Sequence, residues 1–403
     1  MQTTNSDNLF KSDAQMAKEA GREEKLVRTQ ALGDPIKLTS KPLGILIKGD
    51  EVWAAESGFI LRRLSLITGK SSIVYKGHTA PVTCLALYDL PSSSDALIRR
   101  FLLSGSWDKT IKVWDRDTGI CLSTTSVHTD FVKCLLPLPS LSTPLLLSGS
   151  SDKSIRVLSL ASLASSPSSS LEQMQSLQEH TRPIKRLVSV PQVERDHVEA
   201  YSADSMGRVI LWSLKINDHG GLDVKEKHRW SAHETSVTDL WVEEDGVWTA
   251  SMDTFIHYHP FSSSSSSLPI KIVFPQPSIH PQPAPHALLP LFHLTPPILL
   301  TGSADEFIRV WDLSAGEASG QARLVHTIEG HCADVTGLAR WVKDREEWVV
   351  SWALDGTVRR WRLKNLLNPP PPAQPDEGEK DGLTGGMTEE EARELAELMS
   401  DEE

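Results

Sequence analysis

Apolar and polar residues alternate along much of this chain in short runs. "TIKVWD", "SIRVLSL", "RVILWSL", "FIRVWDL" and "TVRRWRL" all follow the pattern. A period of two, filled with β-branched and aromatic residues, predicts strands rather than helices. Before each run stands a small-residue stretch and then a turn, as in "SGSWDK", "SGSSDK" and "TGSADE". An apolar run of its own precedes each of those turns, so the pattern predicts strand, tight turn, strand.

The unit recurs. "SGSWDKTIKVWD" (104–115) returns as "LLLSGSSDKSIRVLSL" (145–160), "AYSADSMGRVILWSL" (200–214), "VWTASMDTFIHYHPF" (247–261), "LLTGSADEFIRVWDL" (299–313) and "VVSWALDGTVRRWRL" (349–363). One slot holds Trp114, Leu158, Trp212, His259, Trp311 and Trp361, with gaps of 44, 54, 47, 52 and 50 residues. That period predicts units of four short strands arranged radially. A second signature precedes each copy: "GHTAPVTCLAL", "VHTDFVKCLLPL", "EHTRPIKRLVSV", "AHETSVTDLWV" and "GHCADVTGLAR". On these motifs the chain resembles the WD40-repeat family over about residues 25 to 365. The resemblance implies an all-β fold, a seven-bladed β-propeller, and is nearly silent on function. The first blade is degenerate: Leu64 precedes Thr68-Gly69 at the distance at which Trp114 precedes Thr118-Gly119. The same registration makes "TGKS" (68–71) a turn. A phosphate-binding loop would need glycine at 64.

The last blade runs into "NPPPP" without a fourth strand. "EEKLVRTQAL" (23–32) is therefore expected to close the ring, which removes open sheet edges. The expected organisation is a flexible segment 1–22, a propeller 23–366, and a Pro-rich linker with a disordered acidic tail over 367–403.

By resemblance, each blade carries a histidine, a turn aspartate and a tryptophan in a buried polar network. Blade two supplies His78, Asp108 and Trp114, with Ser104 or Ser106. Blade three supplies His128 and Asp152, blade five His233 and Asp253, blade six Asp305 and Trp311, and blade seven His331, Asp355 and Trp361. Blade four departs, with Met206 in the aspartate slot and Asp204 two residues early, and blade six has Ala287 in the histidine slot. A set repeated around a ring reads as scaffold rather than as a catalytic triad. In the family, the residue before the turn aspartate faces the top surface. These positions and those opening the first strands give Trp107, Phe131, Arg182, Met252 and Leu354 as a candidate protein-binding surface, since aromatic anchors suit protein contacts.

The rest of the chain narrows the function. Net charge is −12, of which residues 375–403 carry −10, so the body is near neutral. That argues against a basic nucleic-acid groove. The tail "TEEEARELAELMSDEE" has a capping box and an apolar face of Ala392, Leu395, Ala396 and Met399 over 388–399. It reads as a helix that forms on a partner, or as a solvated acidic tail, and the sequence leaves both open. "SLASLASSPSSS" (159–170) and "FSSSSSSLPIKIVFPQPSIHPQPAPH" (261–286) are expected to be flexible loops. His257 and His259 could form a metal pair, but no third ligand has suitable spacing. Cys84, Cys121, Cys134 and Cys332 form no CxxC pair, and no metal or other cofactor is expected. The polar start lacks a secretory signal, and no apolar run reaches the roughly 18 residues of a membrane span. A cytoplasmic or nuclear setting follows as an expectation. The expected role is a non-catalytic interaction scaffold of a multiprotein complex, with protein partners at the top face and the tail. The alternatives are a ubiquitin-ligase substrate receptor and a ribonucleoprotein-assembly factor. Asp117 and Ser314 weaken the first, because they stand where ligase-adaptor propellers carry arginine.

Overall fold

A computed structural model describes residues 13–90, 99–191, 196–217, 219–243, 246–261, 270–272, 283–314 and 322–368. The strands form seven four-stranded antiparallel sheets. Blades one to six each run in sequence order, over 42–76, 82–125, 132–177, 184–231, 237–272 and 285–328. Blade seven is built from Val335–Lys343, Glu346–Ala353 and Thr357–Arg362, with Ile36–Lys37 as its outer strand.

The core is distributed. Seven clusters of buried apolar side chains each join one blade to the next. Between blades one and two, for example, Trp53, Leu61 and Tyr75 pack on Val82, Leu102 and Trp114. The Tyr75 and Trp114 rings meet edge to face with centroids 5.9 Å apart. This explains the glycine of the "SGS" motif. A Cβ on Gly105 would lie 2.5 Å from Val132 of the next blade, and one on Gly149 2.6 Å from Ile184. Glycine there makes room for the neighbouring blade's first core residue.

Register confirms the assignment of blade one. In blades two, three, four and six the ladder shifts immediately before the tryptophan slot, at Val113/Trp114, Val157/Leu158, Leu211/Trp212 and Val310/Trp311. Blade one shifts at Arg63/Leu64, and Leu64 is buried. The extra residue lies in the fourth strand each time (Ser72, Leu122, Met174, Lys227 and Val325), so that strand bends locally opposite the slot residue.

The closing strand is not where the alternation of "EEKLVRTQAL" suggested. Asp13–Thr29 is an α-helix, and the closing pairs are Ile36 with Val358 and Lys37 with Thr357. Alanine, glutamate, lysine and arginine dominate "DAQMAKEAGREEKLVRT", and these are strong helix formers. Gly33 and Asp34 then take positive φ (67° and 41°), which ends the helix turn and redirects the chain into Pro35. Backbone bonds Leu38 N to Gly356 O (2.8 Å) and Arg360 N to Gly33 O (2.6 Å) extend the closure at both ends.

The insertions also differ from expectation. Within 159–170, Ser162–Ser165 forms one helical turn, and Leu160 and Leu163 are fully buried between blades two and three. Two leucines three apart supply the apolar contact that the serine-rich composition obscured. Within 261–286, Ile270–Ile272 is the outer strand of blade five and Pro285 begins blade six. Register also corrects the reading of blade six. Ala287 pairs with Gly302 as Cys84 pairs with Gly105, so it stands in a first strand and not in the histidine slot. The expected tail helix and its residues Ala392, Leu395, Ala396 and Met399 lie outside the described residues. No described helix is long and apolar enough to cross a membrane.

Candidate protein-binding face

The polar networks fix the loops of the top face. In blade two His78 Nδ1 lies 2.7 Å from Asp108 Oδ2 and Nε2 lies 2.7 Å from Ser104 Oγ. Trp114 Nε1 donates to Ser104 Oγ at 2.8 Å. Burial alone would raise the Asp108 pKa, but hydrogen bonds from His78 and Thr110 outweigh it and hold the carboxyl far below its ordinary value. Asp108 is therefore an acceptor only, which places the His78 proton on Nδ1. The order of donation is then indole to Ser104, Ser104 to His78, and His78 to Asp108. Asp108 also accepts from Thr79 N and Thr110 N, at 3.1 and 2.9 Å.

The same relay recurs around the ring. His331, Asp355, Ser351 and Trp361 repeat it in full in blade seven. His128 with Asp152 and Ser148, and His233 with Asp253 and Thr249, repeat it without tryptophan. Blade four also has the complete set, which the sequence pattern had hidden: His180 meets Asp204 at 2.9 Å, and both His180 and Trp212 meet Ser202. Asp204 sits at the end of the second strand and reaches the histidine from there. Blade one places Glu56 at the corresponding position, where Thr39, Ser40 and Arg62 donate to it. In blade six the buried Arg309 donates to Asp305 at 3.0 Å, and Trp311 donates to Thr301. Ser104, Ser148, Ser202 and Ser351 are fully buried. No substrate can reach those hydroxyls, so the histidine–aspartate–serine sets are scaffold.

These networks hold one backbone bond in every blade. The residue before the turn aspartate, or its equivalent, donates its N–H to the carbonyl at the start of the first strand. The bonds are Ser57 to Lys41, Trp107 to Pro81, Ser151 to Phe131, Ser205 to Pro183, Met252 to Ser236, Ala304 to Ala284 and Leu354 to Asp334, all 2.9–3.0 Å. They put the side chains expected at the top face at one level of the ring.

At the boundary of blades two and three this level carries an aromatic shelf. Trp107 stacks on Phe131, with centroids 5.0 Å apart and planes 18° apart. The Lys133 ammonium lies 4.9 Å from the indole centroid and 5.5 Å from the Phe131 ring. Trp107 remains 38% exposed. Burial, and then the charge of Lys185, lower the Lys133 pKa. Lys133 escaped the sequence reading, although it occupies the slot of Thr83 and Lys185 one residue into its strand. Arg182 and Met252 are exposed and Leu354 is half-buried at the same level of blades four, five and seven. Among the described residues, no ring or ion-pair contact joins these three to the shelf.

The histidine pair has a packing role. His257 stacks on His233 at 4.4 Å and bonds the Ala232 carbonyl, while His259 lies against Trp230. No group of three His, Cys, Asp or Glu side chains that could hold a metal ion is found among the described residues. Burial, followed by the neighbouring histidines, lowers the His259 pKa to about 4. The folded state thus holds this imidazole neutral while the unfolded chain protonates it near 6.5. Its contribution is complete above pH 6.5 and is lost as pH falls toward 4. His259→Phe is expected to flatten the fall in melting temperature between pH 6.5 and 4. An unchanged pH profile would contradict this. Cys84 and Cys134 are buried small packing groups, and burial pushes the Cys84 thiol up to about 12.

Comparison with known proteins agrees with this architecture. The family model "WD domain, G-beta repeat" matches residues 69–115, 119–159 and 322–362. A WD repeat-containing protein of Schizosaccharomyces pombe is 30% identical, with all of both chains covered. Two proteins named ribosome biogenesis protein WDR12 homolog are also similar. That of Chlamydomonas reinhardtii is 24% identical over 68% of this chain and 63% of its own, and that of Nematostella vectensis 23% over 72% and 70%. Repeat, blade register and the end-to-end relative agree, and the chain belongs to the WD-repeat family.

Proposed function

We propose that this protein is a non-catalytic interaction scaffold of a multiprotein complex, and that it holds a protein partner on the shelf formed by Trp107, Phe131 and Lys133. The observation that carries the reading is the exposed indole. The blade requires Asp108 and Trp114 for its polar network, whereas the Trp107 ring takes no part in that network. A large ring that stays 38% exposed, stacked on Phe131 and held by a lysine, is pre-organised for contact and loses little side-chain freedom on binding. Scaffolding fits the networks as well, because seven cross-braced loops present a rigid surface.

The test compares partner capture by wild-type chain and the W107A/F131A double variant. Trp107 and Phe131 lie outside the polar relays, so the variant should keep its fold while losing at least one defined partner. An unaltered set of partners from an equally folded variant would remove the shelf from the account.

A role in ribonucleoprotein assembly is a second reading. Its support is the similarity, across about two thirds of the chain, to two proteins named for ribosome biogenesis. Co-sedimentation of the chain with ribosome precursors in a salt-stable peak would favour it.

A further inference from the structure

Four arginines occupy one position of the third strand: Arg62 opposite Ala54, Arg156 opposite Ser148, Arg309 opposite Thr301 and Arg359 opposite Ser351. Arg62 and Arg309 are paired within their own blades, to Glu56 and Asp305, and Arg156 is half-buried. Arg359 is buried and has no such pair. Asp355, its blade's carboxylate, is saturated by His331 and Cys332 N on one oxygen and by Thr357 N and Oγ1 on the other. Arg359 is 96% buried, counting from its 4% exposure, and no carboxylate pairs with it among the described residues. One of its nitrogens donates to the carbonyls of Thr29 and Leu32 at the end of the N-terminal helix, and its Nε has no hydrogen-bond partner. Burial opposes its charge more than the nearby Asp355 carboxylate favours it, and its hydrogen bonds go to carbonyls alone, so the cation is under-compensated.

Arg359 lines a cleft of about 420 Å³ between the N-terminal helix and blade seven. The helix is held to the ring by polar groups: Lys25 to Glu306, Arg28 to Glu329, and Thr29 to Cys332. Its Leu26 and Val27 stay 51% and 70% exposed and, with Pro35 and Leu38, form the apolar side of the cleft. That inverts the usual arrangement, in which a helix buries its apolar residues and exposes its charges. The remaining polar lining includes the donors Lys37 and Gln30. The cleft therefore offers an apolar wall and unspent donors, while its one carboxylate has no capacity left.

We propose that this cleft docks a segment of a partner protein that carries a carboxylate beside a branched aliphatic side chain, the carboxylate facing Arg359 and Lys37 and the aliphatic group resting on Leu26, Val27, Pro35 and Leu38. It is a second interface, separate from the aromatic shelf. Fluorescence anisotropy of the full chain with labelled peptides tests it. A peptide bearing Leu-Leu-Asp-Asp should bind, and one bearing Leu-Leu-Asn-Asn should bind about tenfold more weakly, the loss of one charge-assisted contact. L26E/V27E, which alters only exposed side chains, should weaken the acidic peptide by a similar factor, as should the independent Lys37→Glu. W107A/F131A should bind it like wild type, which separates this site from the shelf. Equal affinity for both peptides, no effect of either cleft variant, or no binding to the wild-type chain would overturn the proposal. So would self-association of the chain abolished by L26E/V27E, since the occupant would then be a second copy.

Discussion

A chain shortened to begin at Thr39 is expected to lose the ring as a cooperative unit, whereas one beginning at Gly33 keeps it. The first truncation removes Ile36, which is buried at 5% exposure between blades one and seven, and the backbone bonds of Leu38 and Gly33. Loss of a buried isoleucine costs about 2–5 kcal/mol, and each lost backbone bond roughly 1 more. Blade seven would also be left with an open edge beside a half-empty cluster. The second truncation removes the helix, whose ion pairs are partly exposed and contribute little, together with the Thr29 and Leu32 carbonyls and the cover over Arg359, which would then meet water. Thermal unfolding of the two truncations checks this: a fall of many degrees is expected only for the shorter chain. Equal melting of both would show that residues 33–38 do not close the ring.

Asp108→Ala should be strongly destabilising although the residue is only half-buried. It strands the His78 Nδ1–H, two backbone N–H groups and the Thr110 hydroxyl, all of which donate to this carboxylate. Leaving buried donors without their acceptor costs about 1–3 kcal/mol, and several donors lose theirs at once here. The carboxylate's depressed pKa fixes the pH dependence. The stabilisation is present above the ordinary carboxylate range and is lost only in strong acid, as pH falls through the folded-state value. Urea unfolding at pH 7 should show the full loss. The variant and wild type should converge toward the acid limit. A loss below about 1 kcal/mol, the value of a single ordinary hydrogen bond, would mean the network is not cooperative.

Much of the fold could be read from the chain because it rests on side chains with narrow requirements. The slot is a buried or half-buried apolar position between blades, filled by a large ring at Trp114, Trp212, Trp311 and Trp361, which mark four blades, and a turn at a fixed distance marks the Leu64 blade. The closing strand was hidden because only Ile36 and Lys37 pair, too short a run for alternation to register. The Asp204 network was hidden for a different reason. A carboxylate at the end of the strand reaches the same histidine as one in the turn, so geometry conserves what spacing does not. In blade six a guanidinium brings the donors that histidine brings elsewhere, and no residue-type pattern for histidine could find Arg309. Of the binding face, Trp107 and Phe131 could be read from repeat position. Their stacking across a blade boundary, and Lys133 over both rings, depend on how adjacent blades pack.

Site-specific photocrosslinking tests the central claim most directly. A photoreactive side chain is placed at Trp107, and in a control chain at Ile120, which is 61% exposed in the turn at the opposite end of the same blade. The account predicts a defined protein crosslinked at 107 and absent at 120, with yield reduced by Phe131→Ala. Equal crosslinking at both positions, or none at 107 above background, would contradict it.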